Sequence, residues 1–580
     1  MLLSRKSLLL KIKVMSSMMF SLPLILASLP SVAAVTVPAD VNSQLLSFQQ
    51  ETFGTPTLQK MSDRVTMAFS YDYANFTLIE GDDGVVVVDT GFYTNNAKRA
   101  LADYQKLVKK PVTAIIYTHV HSDHRGGSPI FLAEAKGDIP VIAPAGWEER
   151  HEYDVSELRP MVVKRALSQF GMLLEDGVEG TVGAGIGPIT HINGASLFVK
   201  PNKTIFEKTK MTISGVELEF IPLPGDIESH MMVWVPKEKV LISGDLIGGT
   251  LPYIATARFE ADRKAELFVS GLNRILEYDA KSLVPGHGRP LLGRDEIKNV
   301  ITANRDVTEY LIDQITRYIA KGYTVETIVD ELKLPPYLKN HKDLQPHYHT
   351  LAWLIRGLYV KRAGWVDDTL SLVKLSESEQ TSRLIKLIGG KKTILTAAEK
   401  AIKDKDYRWA AQLADYVWTA EPENKEAIQL LISAYRGIAN ITNSANERNF
   451  SLTEISTLKG KIPWDKFLQK STFNNQKDMD NERLLHFLKY QYKAERDYNF
   501  SGEIAVKIDG DEKTYLLTVQ NGVLRTKVEK VPKGTSTITL NRLQLRQVVS
   551  SLSSLSAMYE QGVLRTSGDK TQLVKFINML

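Results

Sequence analysis

Thr118-His119-Val120-His121-Ser122-Asp123-His124-Arg125-Gly126-Gly127 follows the apolar run Ala114-Ile115-Ile116-Tyr117 with no linker between them. A short apolar run bounded by polar residues reads as a buried strand, so the histidines sit on a loop that leaves a strand end. Three imidazoles and one carboxylate within six residues exceed what ordinary packing can satisfy. On such a loop His119 and His121 can converge on one cation while Asp123 and His124 turn toward a second, the arrangement of a two-metal hydrolase. A solvated His-rich loop is the competing reading, and the abrupt change from strand to ligands argues against it.

Working outward, residues 76–80 and 85–88 are apolar runs joined by Gly81-Asp82-Asp83-Gly84, which reads as a hairpin ending at Asp89. Residues 96–109 carry helical spacing, and further apolar runs fall at 141–142, 216–221, 231–235, 240–242 and 282–284. Strand, helix, strand and then ligands is an α/β order, and one sheet-rich domain over 35–300 accommodates it. From 301 to 441 the pattern is helical. Within it, Asp406-Tyr407-Arg408-Trp409 through Ala434-Tyr435 resembles one tetratricopeptide-like helix pair, which cannot stand alone as a solenoid. Residues 440–451 are polar and read as a linker. The remainder, within 442–580, reads as a small α+β domain: a helix at 481–490, then strands at 502–508, 514–519, 523–528 and 537–540.

Residues 1–34 read as a secretory signal, predicting a periplasmic or secreted protein. Arg5, Lys6, Lys11 and Lys13 precede an apolar stretch, and Ser31-Val32-Ala33 offers small residues for cleavage. The competing reading, an uncleaved anchor, is weakened by Ser16, Ser17, Ser21 and Pro23, which interrupt the run. Those four basic residues account for most of the net charge of +5, so no nucleic-acid footprint is expected. With 580 residues, 43% hydrophobic and 24% charged, the chain has the composition of a multidomain globular protein. It has no cysteine, which excludes disulfides and thiolate metal ligands.

The His119–His124 motif resembles the HxHxDH signature of the metallo-β-lactamase superfamily. That resemblance implies an αββα sandwich and further ligands at later strand ends: Asp226 in Pro224-Gly225-Asp226, Asp245 in Ser243-Gly244-Asp245, and His287 in Pro285-Gly286-His287-Gly288. Asp226 stands where most members have histidine, and His230, four residues on, is the alternative ligand. Asp89 matches a buried acid behind the metals. The carboxylate at 226 is similar to the alkylsulfatase branch, as are Lys164-Arg165-Ala166-Leu167-Ser168-Gln169-Phe170-Gly171, Gly180-Thr181-Val182-Gly183-Ala184-Gly185-Ile186-Gly187, Gly322-Tyr323-Thr324 and Leu334-Pro335-Pro336.

The branch resemblance implies an all-α dimerisation domain, hence a homodimer, and a C-terminal domain similar to sterol carrier protein type 2. It also implies hydrolysis of an amphiphilic alkyl sulfate, such as dodecyl sulfate, to alcohol and sulfate. Two divalent metal ions, zinc being expected from the His-rich set, would make water reactive near neutral pH. Asp123 and Arg258 are the expected catalytic residues, and Arg258 matches the branch's sulfate-binding arginine, whose planar fork suits a tetrahedral oxyanion. His349, in Pro346-His347-Tyr348-His349, matches a histidine of the substrate pocket. The segment 246–253 lacks the Asn and His residues usual in the branch, which bears on sulfate specificity. The competing functions are hydrolysis of a carboxylic ester, lactone, thioester or β-lactam by the same metals and, from another class, lipid binding beside a vestigial hydrolase domain.

Overall fold

A computed structural model describes residues 35–149, 157–258, 263–477 and 479–580. The export signal expected at 1–34 lies outside the described residues. The first domain stacks two sheets. One has seven strands in sequence order: β1 (Thr57–Lys60), β2 (Val65–Phe69), β3 (Phe76–Glu80), β4 (Val85–Val88), β5 (Val112–Ile116), β6 (Val141–Pro144) and β7 (Lys203–Ile205). The other has six, with β8 (Thr209–Ile213) at one edge, then β9 (Val216–Pro222), β10 (Met231–Val235), β11 (Val240–Gly244), β12 (Ser282–Pro285) and, at the far edge, β13 (Leu291–Leu292).

The pleat explains why these strands are apolar on both faces. Val86 and Val88 point into the interface between the sheets, where they meet Phe220, Val233, Ile242 and Val284. Val85 and Val87 point the other way, against Ala97, Ala100, Leu101 and Tyr104 of the helix Thr94–Gln105. On the outer side of the second sheet, Met232, Leu241 and Leu283 pack on Phe268 and Leu272 of the helix Ala265–Ile275 and on Val300 and Ile301. The layers are therefore α, β, β, α. Each fully buried Val, Leu or Ile contributes roughly 1.5–3 kcal/mol, which is why these runs are so rich in aliphatic residues.

Parallel pairing places the loops that matter on one rim. β4 pairs parallel with β5, and β11 with β12, so the carboxyl ends of each pair open on the same side, the place where α/β sheets receive ligands.

The helix Arg294–Ala320 crosses residue 300 unbroken, packing on the second sheet through Val300 and Ile301 and continuing through Leu311 and Ile315. Beyond it the chain is helical to Asn475, including Lys391–Lys403, Tyr407–Ala420 and Lys425–Ile441. The linker expected at 440–451 is corrected by the helix Ala445–Leu458, in which Asn446, Arg448 and Asn449 are fully buried. Arg448 donates to the carbonyls of Asp40 (2.8 Å), Val178 (2.6 Å), Gly180 (3.2 Å) and Ala439 (2.9 Å), tying three distant segments together. Polar composition here serves burial rather than solvation.

The C-terminal α+β unit has a five-stranded sheet in the order Val523–Val528, Thr514–Gln520, Gly502–Ile508, Thr537–Leu540, Arg565–Ser567. Its last strand is three exposed residues and has no readable periodicity. Among the described residues no helix is long and apolar enough to cross a membrane.

Candidate active site

β4 is followed directly by Asp89, whose backbone adopts φ 57. That turn aims the carboxylate back at the neighbouring strand end: Oδ1 accepts from the Thr118 amide (2.8 Å), and Oδ2 from the Thr118 hydroxyl (2.8 Å) and His124 Nδ1 (2.7 Å). With its Nδ1 proton committed to Asp89, His124 presents an Nε2 lone pair to the interior. His287 is fixed the same way, its Nδ1 donating to the Tyr73 carbonyl (2.8 Å). Its loop is pinned by Asn75, whose side-chain amide donates to the Pro285 and Gly288 carbonyls, both at 2.9 Å. Gly286 lets Asp245 close in, since a Cβ there would lie 2.2 Å from Asp245 Oδ1.

The donors fall into two groups. Atoms of His119, His121, Asp226 and Asp245 lie within 4.8 Å of one another, and so do atoms of Asp123, His124 and His287. Asp245 borders both, with Oδ1 3.2 Å from His124 Nε2 and Oδ2 3.2 Å from His287 Nε2. Asp123 Oδ2 is 3.4 Å from His287 Nε2. Nε2 of His119 and Nδ1 of His121 face each other at 2.9 Å. Buried Asp226 Oδ1 and Asp245 Oδ1 accept no hydrogen bond among the described residues. Acceptors converging on acceptors in a buried space are stabilised by a cation, so four imidazoles and three carboxylates fit two divalent metal ions.

Electrostatics agree. Burial holds His119 well below its ordinary imidazole value. Burial also opposes charge on His124 and His287, but the carboxylates around them, Asp245 foremost, outweigh it and raise both. At Asp226 burial opposes ionisation and is outweighed by His121, Arg263 and His119; at Asp245 His287 and His124 do the same, so both acids stay below the usual carboxylate range. Asp226 and Asp245 are thus anionic, and metal binding would displace protons from His124 and His287.

Of the two candidates near the second sheet, the structure brings Asp226 into the cluster. His230 lies outside both donor groups; its Nε2 accepts the backbone amide of Asp245 at 3.1 Å and so orients that acid. Behind Asp226 stands Arg263, buried, with Nη2 3.0 Å from Asp226 Oδ2. Sequence reasoning missed Arg263 and Asn75, because a lone Arg or Asn with a distant partner leaves no spacing signal.

Arg258 is half-buried, with its guanidinium 5.5 Å from the Phe170 ring centre. His349 is fully buried beside Tyr348, neither ring nitrogen has a hydrogen-bond partner among the described residues, and burial together with Arg263 and Arg258 holds it well below its ordinary value. His347, its neighbour in the sequence motif, instead stacks on Phe48 at 3.8 Å and joins no donor group. An apolar cluster of Tyr73, Leu167, Phe170, Tyr253, Tyr348 and Trp464 spans the first domain and the helical region. It reaches the metal ligands through Tyr253, whose ring lies 6.1 Å from that of His287.

Three family models match the chain: the metallo-beta-lactamase superfamily over 71–287, alkyl sulfatase dimerisation over 324–461 and the alkyl sulfatase C-terminal domain over 474–580. The chain belongs to the alkyl sulfatases of the metallo-β-lactamase superfamily. It is 29% identical to a linear primary-alkylsulfatase of Pseudomonas sp., across 86% of this chain and 97% of that one. It is 28% identical to an (R)-specific secondary-alkylsulfatase of Pseudomonas sp., across 88% and 78%. The solved structure of a stereoselective inverting sec-alkylsulfatase from Pseudomonas sp. superposes with a TM-score of 0.79 at 26% identity, covering 93% of this enzyme and 87% of that chain. The enzyme is a metallo-hydrolase, and its buried His/Asp cluster is where its metals belong.

Proposed function

We propose that this enzyme is an exported, homodimeric hydrolase that cleaves alkyl sulfate esters, such as dodecyl sulfate, to the alcohol and sulfate. The observation that carries the substrate reading is the juxtaposition of an apolar, aromatic wall with a buried His/Asp cluster and a nearby guanidinium. Such a site suits a molecule with a long apolar tail and a compact anionic head. Curated relatives named for primary and secondary alkyl sulfates support it. The dimerisation model over 324–461 supports the homodimer, and the basic, apolar and small-residue sequence of 1–34 supports export.

His119, His121, Asp226 and Asp245 would hold one cation and Asp123, His124 and His287 the other, with Asp245 shared. Zinc suits four imidazoles among seven ligands. When bound, two divalent cations supply Lewis acidity and a source of nucleophile near neutral pH. The remaining work falls to the chain. Asp89 and the Tyr73 carbonyl hold the His124 and His287 rings in the tautomers that keep Nε2 free for metal. Arg258 offers two parallel donors to the sulfate oxygens, and more strongly as charge moves onto the departing sulfate. His349, neutral and beside Arg258, lines the head-group pocket, and the aromatic wall excludes water around the tail.

Hydrolysis of dodecyl sulfate and of p-nitrophenyl acetate by the wild type and Arg258→Ala tests this reading. Loss of a charge-assisted contact costs about 1.5–3 kcal/mol, roughly ten- to a hundredfold in rate, so sulfate turnover should fall by that order while ester turnover holds. Equal losses would place Arg258 in the fold or the metal site. A wild type that cleaves esters, lactones or β-lactams but no alkyl sulfate would favour the competing hydrolase readings. The vestigial, lipid-binding reading is opposed by a donor set that is complete and assembled.

A further inference from the structure

The loop that follows Asp245 ends in a side chain whose hydroxyl the mechanism above leaves without a task. Tyr253 is 3% exposed. Its ring stands edge-on to His287 (6.1 Å, 86°) and to Tyr348 (5.5 Å, 83°), so it is wedged between the metal ligands and the wall that carries His349 and Phe170. Its hydroxyl is buried and has no hydrogen-bond partner among the described residues. Leaving a buried hydroxyl unsatisfied is destabilising. Phenylalanine would fill the same ring volume without that cost, so packing alone does not account for tyrosine.

The backbone makes room for the oxygen. A Cβ on Gly248 would overlap the Tyr253 hydroxyl, and the backbone of Gly248 is itself pressed against Gly288, next to His287. The loop 245–253 thus closes on itself with the phenol oxygen against a residue that has no side chain.

A sulfate monoester presents three terminal oxygens in a tetrahedral head, which no single planar fork can satisfy. Arg258 approaches from the Phe170 side, and Tyr253 stands on the His287 side of Tyr348. We propose that the Tyr253 hydroxyl donates a hydrogen bond to an oxygen of the bound sulfate ester, making it a specificity-determining residue for the anionic head. The proposal rests on the alkyl sulfatase reading given above. Phenols are protonated at neutral pH, so the group acts as a donor without any change of charge.

The test compares metal-loaded wild type with Tyr253→Phe, which keeps the ring and removes only the oxygen. Binding of octyl sulfonate, an unreactive analogue of the sulfate head, is measured by titration calorimetry beside binding of octanol, with octyl sulfate turnover followed in parallel. A hydrogen bond to a charged acceptor contributes about 1.5–3 kcal/mol, so sulfonate affinity should weaken about ten- to a hundredfold in the variant. Octanol affinity and metal content should not change, and the melting temperature should hold or rise, since the variant no longer buries an unpartnered hydroxyl. Equal sulfonate affinity in the two proteins, with the wild type hydrolysing octyl sulfate, overturns the role of Tyr253 and leaves the sulfatase reading intact. Parallel losses for sulfonate and octanol assign Tyr253 to packing and likewise overturn it. A wild type that neither binds the sulfonate nor cleaves the sulfate overturns both.

Discussion

The polar stretches 119–124 and 444–449 reach burial by opposite routes. Along 119–124 the side chains converge with Asp226, Asp245 and His287: imidazole nitrogens and carboxylate oxygens stand within 4.8 Å of one another in two groups. Along 444–449 Ser444, Arg448 and Asn449 reach outward to the chain itself, whereas the buried Asn446 amide has no partner among the described residues. Ser444 caps its helix by accepting from the Glu447 amide, Arg448 spends its guanidinium on four backbone carbonyls, and Asn449 donates to the carbonyls of Gln169 and Gly183. The first is built to receive cations, and the second brings its own. Buried charge that is left for a ligand marks chemistry, whereas buried charge that the backbone satisfies marks architecture.

That contrast predicts different consequences when each is broken. Arg448→Met removes the cation from the second region and leaves its carbonyls buried without donors. Each unsatisfied group costs about 1–3 kcal/mol, so unfolding free energy should fall by at least about 3 kcal/mol. Denaturant unfolding would show this loss, while the protein still folded at low temperature retains its metal and its turnover number. A stability within experimental error of the wild type would mean that water replaces the guanidinium and that the second region is less dry than described.

Asp89→Asn probes the first region from behind. Asparagine tolerates the left-handed backbone at 89, so the turn survives, but an amide holds the His124 tautomer less firmly. Substitutions behind metal ligands typically cost ten- to a hundredfold in metal affinity, and competition with a chromophoric chelator should report a loss of that order with little change in melting temperature. Unchanged affinity would remove Asp89 from the metal site.

The smallest expected effect lies at the seam between the two regions, where His347 stacks on Phe48 and pairs with Asn443 Oδ1 at 3.2 Å. Burial lowers its pKa to about 4, against an ordinary 6.5. The unfolded chain therefore binds the extra proton first, and stability falls as pH drops from about 6.5 toward 4. His347→Gln should flatten the decline in melting temperature between pH 7 and pH 5. An unaltered slope would assign the acid sensitivity elsewhere.

The same contrast explains what was legible beforehand. Histidine and aspartate at HxHxDH spacing after a strand have few chemical uses, so the motif could be read from the residues themselves, while the αββα layers and the candidate ligands at later strand ends came from the family resemblance that the motif carries. The helix Ala445–Leu458 could not. Its buried positions include Asn446, Arg448, Asn449 and Ser451, so it shows no apolar periodicity, and its composition is that of a linker. Asp226 and His230 remained alternatives because both follow Pro224-Gly225. What separates them is three-dimensional: one carboxylate faces His119 and His121, and the other ring is already committed to the Asp245 amide. The end of the first domain was blurred for a related reason, since one continuous apolar stripe on the helix Arg294–Ala320 serves both the sheet and the helices beyond it.

The central claim is that His119, His121, Asp226 and Asp245, with Asp123, His124 and His287, form one two-metal site. Elemental analysis by mass spectrometry, on protein stripped by chelation and reloaded with zinc, measures it directly. The account predicts two zinc ions per wild-type chain and a loss of bound zinc in both His121→Ala and His287→Ala, with dodecyl sulfate hydrolysis present only in reloaded protein. Full occupancy in both variants, or full hydrolysis by the stripped wild type, would contradict it.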